Sequence, residues 1–199
     1  VTDTSYMFSG AVAFNQPIGN WNTSNVVNMQ YMFHQASIFN QSLNNWNTSN
    51  VTDISFMFSG AAAFNQSISN WNTSKINNIE SLFSTYQTVT ESSSFNQNIN
   101  TKEVTVNGNT YYAWDVSNVT DMNKAFRGVI FNQPFNDWNV SNVKNMFAMF
   151  AFNTLFNQSL NNWNTSNVTS MQTLFFNNHV FNQPLSNWNT NNVLTTRNM

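Results

Sequence analysis

Few of the 199 residues could carry acid–base or metal chemistry, and their spacing argues against most of it. His34 and His179 are the only histidines, and no HExxH or other paired spacing joins them; both read as solvated surface residues. There is no cysteine, which removes thiolate nucleophiles, thiolate metal sites and disulfides together. GxSxG, P-loop and GxGxxG motifs are absent as well. Asp3, Asp53 and Asp121 occupy one position of a recurring unit, with Asn28, Asn78 and Asn145 between them in the same column. A carboxylate column could bind calcium, but alternate coils of a stack lie about 10 Å apart, too far for one ion. Capping of a helix start explains these residues better. Asp115 and Asp137 lie beside Trp114 and Trp138, and carboxylate pairs among aromatics occur in glycosidases. Both stand where another unit carries Asn47 or Asn45, so drift from asparagine is the simpler origin. No catalytic residue, metal site or cofactor is expected.

The recurring unit is built on the phrase FNQxLxxW. It opens at Phe14, Phe39, Phe64, Phe95, Phe131, Phe156 and Phe181, so the steps are 25, 25, 31, 36, 25 and 25 residues. Tryptophan closes it at 21, 46, 71, 138, 163 and 188, with Trp114 displaced by an insertion. A fixed period of this size is the mark of a stack of short units, none of which can bury its apolar face alone.

Composition narrows the class further. Only 7% of residues are charged, against about 25% in an ordinary globular protein. The longest apolar run, Phe147 to Phe152, is too short to span a bilayer. A net charge of −2 offers no basic face for nucleic acid. Val1 already lies inside a unit and no signal peptide is visible, so the chain reads as a fragment of a longer array, with any targeting segment outside it.

Within the unit from Val26, residues Met29, Met32, Phe33 and Ala36 follow i, i+3, i+4, i+7, the spacing of one helical face. Asn28 before them suits an N-cap, and Asn77 with Glu80 has the spacing of a capping box. Residues 41–51 lack that spacing and read as a short strand or extended edge that hydrogen-bonds from coil to coil. The expected fold class is therefore an α/β solenoid, a leucine-rich-repeat-like stack of about seven 25-residue coils, each a short helix plus a short extended strand. Residues 1–199 form one such domain. The Phe and Trp letters are expected in the core. The asparagines that follow them, such as Asn40 and Asn47, are expected to form ladders at the coil corners.

Regularity fails in the middle, with insertions at 84–94 and 101–113. The first is a Ser/Thr-rich loop. In the second, Val104 and Val106 alternate, Asn107–Gly108 is a strong hairpin turn, and Tyr111–Tyr112 begin a return strand. Of the 14 charged residues (6 basic, 8 acidic), 11 lie between Lys75 and Lys144. Near-identical coils present the same surface at every level, so a selective partner should contact what differs: Glu91, Lys102, Glu103, Asn107, Tyr111 and Tyr112.

The segments MFSGAVAFNQPIGNWNTSNV (7–26), MFHQASIFNQSLNNWNTSNV (32–51) and MFSGAAAFNQSISNWNTSKI (57–76) resemble the BspA-like, leucine-rich-repeat-related repeats of bacterial surface proteins. The resemblance covers nearly the whole chain. It implies a cell-surface or extracellular setting, contact with host cells, matrix or other cells, and no catalytic residues.

The function expected from these features is a non-enzymatic adhesion module presenting an extended surface to a protein or glycan. The alternative is a structural subunit of a filament, sheath or surface layer, whose partners are neighbouring copies of itself. Ice or mineral binding through the Thr23, Thr48, Thr73 and Thr165 column ranks below both. The eleven Asn-x-Ser/Thr sequons follow from the repeat.

Overall fold

A computed structural model describes residues 1–85 and 92–199. Among these residues there is no helix, and the only strands are β1 (Lys102–Val106) and β2 (Asn109–Ala113), which pair with each other. The α/β solenoid of helix-plus-strand coils is thus overturned. Each coil is instead a series of tight turns, and it is tied to its neighbours residue by residue.

The reason lies in where backbone N–H groups donate. In the segment expected to be helical, alternate residues turn back on their own coil: Met32 to Met29, His34 to Tyr31 and Ala36 to Phe33, at 3.2, 3.1 and 3.0 Å. The residues between them donate to the next coil: Tyr31 to Ser55, Phe33 to Met57 and Gln35 to Ser59, at 3.0, 2.9 and 2.7 Å. A helix would send every one of these donors four residues back. Here the neighbouring coil captures half of them. The three-residue return still brings Met29, Met32, Phe33 and Ala36 to the same buried side, all fully inaccessible. Helical spacing was therefore present without a helix.

The turns require left-handed residues in columns. Tyr6, Tyr31 and Phe56 have φ near 57°, followed down the stack by Ser81, Lys124, Ala148 and Thr173 at 52 to 56°. Such backbone costs a non-glycine residue about 1–3 kcal/mol. Part is offset by stacking, since the rings of Tyr6 and Tyr31 lie 4.6 Å apart and those of Tyr31 and Phe56 4.4 Å. A second column carries Gly10, Gly60 and Gly128 at φ 70 to 74°. At Gly128 an added Cβ would also meet Thr85 Oγ1 at 2.2 Å.

The coils register through a column of isolated parallel bridges: Asp3, Asn28, Asp53, Asn78, Asp121, Asn145, Ser170 and Thr195, each paired with the next. Each acidic or amide side chain in this column caps a turn rather than a helix. Asp3 Oδ1 accepts the Ser5 N–H at 2.8 Å, Asp53 that of Ser55 at 2.7 Å, and Asp121 that of Asn123 at 2.8 Å. Glu80 is no capping-box partner of Asn77. Its N–H donates to Asn78 Oδ1 at 2.9 Å. Residues 41–51 form no strand either. They turn at Trp46 N–H to Leu43 and at Val51 N–H to Thr48, and side chains carry the coil-to-coil links.

Those side chains are the letters of the phrase. Phe33 stacks on Phe39 within its coil at 4.1 Å and on Phe8 and Phe58 above and below at 5.6 Å. The same intra-coil pair recurs as Phe58–Phe64, Phe83–Phe95, Phe150–Phe156 and Phe175–Phe181. Where Phe135 replaces the usual Ile or Leu, Phe126 tilts 41° from Phe131 and packs on Phe135 too. From Trp46 on, each Trp indole donates to the preceding coil, as Trp46 to Ile18 O at 3.1 Å, Trp71 to Leu43 O at 3.0 Å and Trp138 to Ile99 O at 2.8 Å. Trp21, by contrast, is 42% exposed and not in the core as expected. Each Thr of the NTS stretch donates the other way: Thr23 to Asn47 O and Thr48 to Asn72 O, both at 3.0 Å. Those threonines are buried, so they offer no flat outer face to ice.

The first insertion starts and returns against one neighbour: Thr85 N–H reaches Arg127 O, and Ser93 N–H reaches Gly128 O. The rest of its Ser/Thr loop, residues 86–91, falls outside the described residues.

Candidate functional site

The second insertion is a hairpin. Asn107 and Gly108 take φ of 51° and 80°, the pair of positive values that a two-residue turn matching strand twist requires. Lys102 pairs with Ala113, Val104 with Tyr111 and Val106 with Asn109. Direct partners share a face, so Val104, Val106 and Tyr111 lie on one side, and these are the half-buried positions. Glu103, Thr105, Thr110 and Tyr112 lie on the other and are exposed.

The hairpin is clasped at its base. Thr101 Oγ1 donates to Trp114 O at 2.6 Å, joining the points where the chain leaves and re-enters the stack. Trp114 then resumes the repeat, its N–H on Trp71 O at 3.1 Å and its indole on Ile68 O at 2.9 Å. Tyr111 donates its hydroxyl to Asn70 O and so holds the hairpin over the preceding coils. Burial pushes the Tyr111 phenol above its ordinary value of 10.0 and keeps it a donor.

Folding back leaves a cleft of about 360 Å³ between the hairpin and two coils. Asn45, Asn47 and Asn72 form its coil wall, with Asn107, Asn109 and the Tyr111 ring on the hairpin side. No charged residue lines it among those described.

The six residues expected to bind a partner are thereby separated. Tyr111 and Asn107 border the cleft. Tyr112, 60% exposed, and Glu103 point away from it. Lys102 is exposed at the hairpin base. Glu91 lies outside the described residues. The cleft's other wall, Asn45, Asn47 and Asn72, was missed, because the same amides recur in other coils and only the direction in which the hairpin folds distinguishes these.

The remaining candidates have structural partners. Asp115 Oδ1 accepts the Ser117 N–H at 2.9 Å, and its carbonyl takes the Thr73 hydroxyl. Asp137 accepts from Asn100 Nδ2 at 2.7 Å. Asp115 makes the turn bond inside its own coil that Asn47 makes to Ser49, so this column forms no ladder, contrary to expectation, whereas Asp137 bridges to the preceding coil. No group of three or more potential metal ligands is found among the described residues. His34 is not the solvated residue expected: it is half-buried, 3.3 Å from Ser9 Oγ and edge-on to Tyr31, and burial lowers its pKa. His179 is exposed. No helix among the described residues is long and apolar enough to cross a membrane.

The chain belongs to the family described as "Mycoplasma protein of unknown function, DUF285", which matches residues 1–101 and again residues 92–199. No curated protein and no solved structure matches it.

Proposed function

We propose that the protein is a non-enzymatic interaction module of the cell surface, an adhesion unit whose stacked coils form a rigid display for one distinctive feature, the hairpin with its cleft. The observation that carries this reading is the contrast between the two parts. Along the coils many polar side chains, such as Asn40, Thr23 and Thr48, are engaged in bonds that hold one coil to the next. At the hairpin, Tyr112 and Glu103 are presented outward from a base clamped by Thr101 and Trp114, while the opposite face closes a cleft over the coil amides. Binding constellations work best when mounted on a rigid scaffold. The resemblance of residues 7–76 to surface-protein repeats supports the same setting. The partner is a protein or glycan on another surface.

The test is adhesion of beads coated with the purified protein to a cultured epithelial monolayer under shear. Coated beads should remain attached well beyond albumin-coated controls. Retention equal to the albumin beads would contradict the reading.

A further inference from the structure

We infer that the cleft between the hairpin and the coils takes a neutral carbohydrate segment, an inference that rests on the interaction-module reading and supplies its ligand class. Three observations bear on it. The cleft's volume, about 360 Å³, lies at the small end of ligand pockets, which span roughly 300–1,000 Å³. Its walls hold amides, hydroxyls, Val106 and the rings of Trp46 and Tyr111, but no charge. An anionic or cationic ligand would therefore be desolvated there without a counter-charge, at a large cost. A polyhydroxylated neutral ligand meets groups of its own kind.

The third observation is which amide atoms are already engaged. Asn47 Oδ1 accepts the Ser49 N–H at 3.0 Å and the Ser49 hydroxyl at 2.7 Å. Asn72 Oδ1 accepts the same pair from Ser74 at 3.1 and 2.7 Å. Fixing the oxygens also fixes the orientation of both amide planes. No described group accepts from either Nδ2, so each offers two donors at a set angle, one coil apart. Sugar hydroxyls accept from such donors and donate in turn to the oxygens of Asn45, Asn107 and Asn109. The ring of Tyr111, pinned through its hydroxyl to Asn70 O, supplies the flat apolar surface on which the C–H face of a pyranose packs. A peptide would also find hydrogen bonds here, but Trp46 is 3% exposed and most of the lining is polar, which leaves only Val106 and the Tyr111 ring to anchor an apolar side chain. The hydroxyl-rich ligand is favoured.

Asn45 and Asn109 test this cleanly, because both are exposed and neither holds a coil junction. The wild-type protein and an Asn45→Ala/Asn109→Ala variant would be titrated with lactose, cellobiose, N,N′-diacetylchitobiose and 3′-sialyllactose up to about 10 mM, followed by ligand-observed NMR. Circular dichroism would check the variant's fold. At least one neutral disaccharide should bind the wild type, and the variant should lose at least tenfold in affinity. Sialyllactose should bind no better than lactose. Preference for the sialylated sugar, unchanged binding by the variant, or no binding of any neutral sugar would each overturn the inference. Bead adhesion separates the two levels: adhesion that persists after the monolayer is stripped of glycans rejects the carbohydrate and leaves the interaction module standing. Loss of all bead adhesion in the wild type rejects both.

Discussion

The side-chain oxygen of Asn40 lies 3.0 Å from the backbone nitrogen of Asn65 in the next coil. Nε2 of Gln66 donates to the same oxygen at 3.1 Å. Asn40 itself sits on Asn15 in the same way at 2.9 Å. The ladder then runs through Asn96, Asn132, Asn157 and Asn182 at 2.9 to 3.0 Å, across both insertions. One geometry accounts for both polar letters of FNQ. Asn supplies the acceptor, and Gln supplies the second donor that saturates it.

Replacing Asn40 with alanine strands the Asn65 N–H and the Gln66 amide. The expected loss is about 1–3 kcal/mol in urea unfolding. Asn40→Asp keeps an acceptor oxygen for both donors and should recover most of that loss. Equal stability of all three proteins would show that the ladder contributes nothing.

Trp46 is 3% exposed and bonded to Ile18 O, and Phe39 is fully buried between its stacked neighbours. Trp46→Ala or Phe39→Ala should each cost about 3–5 kcal/mol. A Trp46→Ala protein unfolding at the parent's urea midpoint would remove the indole from the core.

The left-handed columns predict substitutions of opposite sign. Thr173 is β-branched at φ 56°, and Asn tolerates that backbone, so Thr173→Asn should stabilise by up to about 1 kcal/mol. Gly128→Ala combines φ 70° with a 2.2 Å approach to Thr85 and should destabilise by about 1–3 kcal/mol. Thermal unfolding of the pair checks both signs.

Burial raises the Glu80 pKa above its ordinary 4.5, and Asp121 adds to the shift against the opposing effects of Lys124 and Asn123. The folded state therefore holds the Glu80 proton more tightly than the unfolded chain. The resulting stability is full below pH 4.5 and is lost as pH rises through the folded value. Glu80→Gln should remove this part of the slope in urea midpoints measured across that window. An unchanged slope would mean the carboxyl is as well solvated folded as unfolded.

The period, the hairpin at Asn107–Gly108 and the burial of the inner Phe and Trp residues are legible in the sequence, whereas the exposure of Trp21 and the partial burial of Phe14, Phe181 and Trp188 are not. The helix could not be excluded from apolar spacing, because Met32 closing on Met29 and Ala36 on Phe33 reproduces the spacing of a helical face. What decides against it is competition from acceptors such as Ser55 O and Met57 O, which exist only once coils stack. Gly10, Gly60 and Gly128, recurring inside the supposed helix, were the local hint. The hairpin half of the cleft was legible as an interruption of the repeat. The Asn45–Asn72 half was not, since Asn22 and Asn164 look the same in sequence and only Tyr111 reaching Asn70 chooses between them.

On the proposed function, the coils are scaffold and the hairpin discriminates. Deleting Lys102 to Tyr112 and closing Thr101 to Ala113 with a short turn leaves the Trp114 contacts in place. Bead adhesion and urea unfolding measured on the same deletion test it most directly. The expected result is a folded protein whose adhesion to the monolayer falls more than tenfold, about 1.4 kcal/mol in binding. A folded deletion that adheres as well as the wild type would move the interface onto the repeating faces and contradict it.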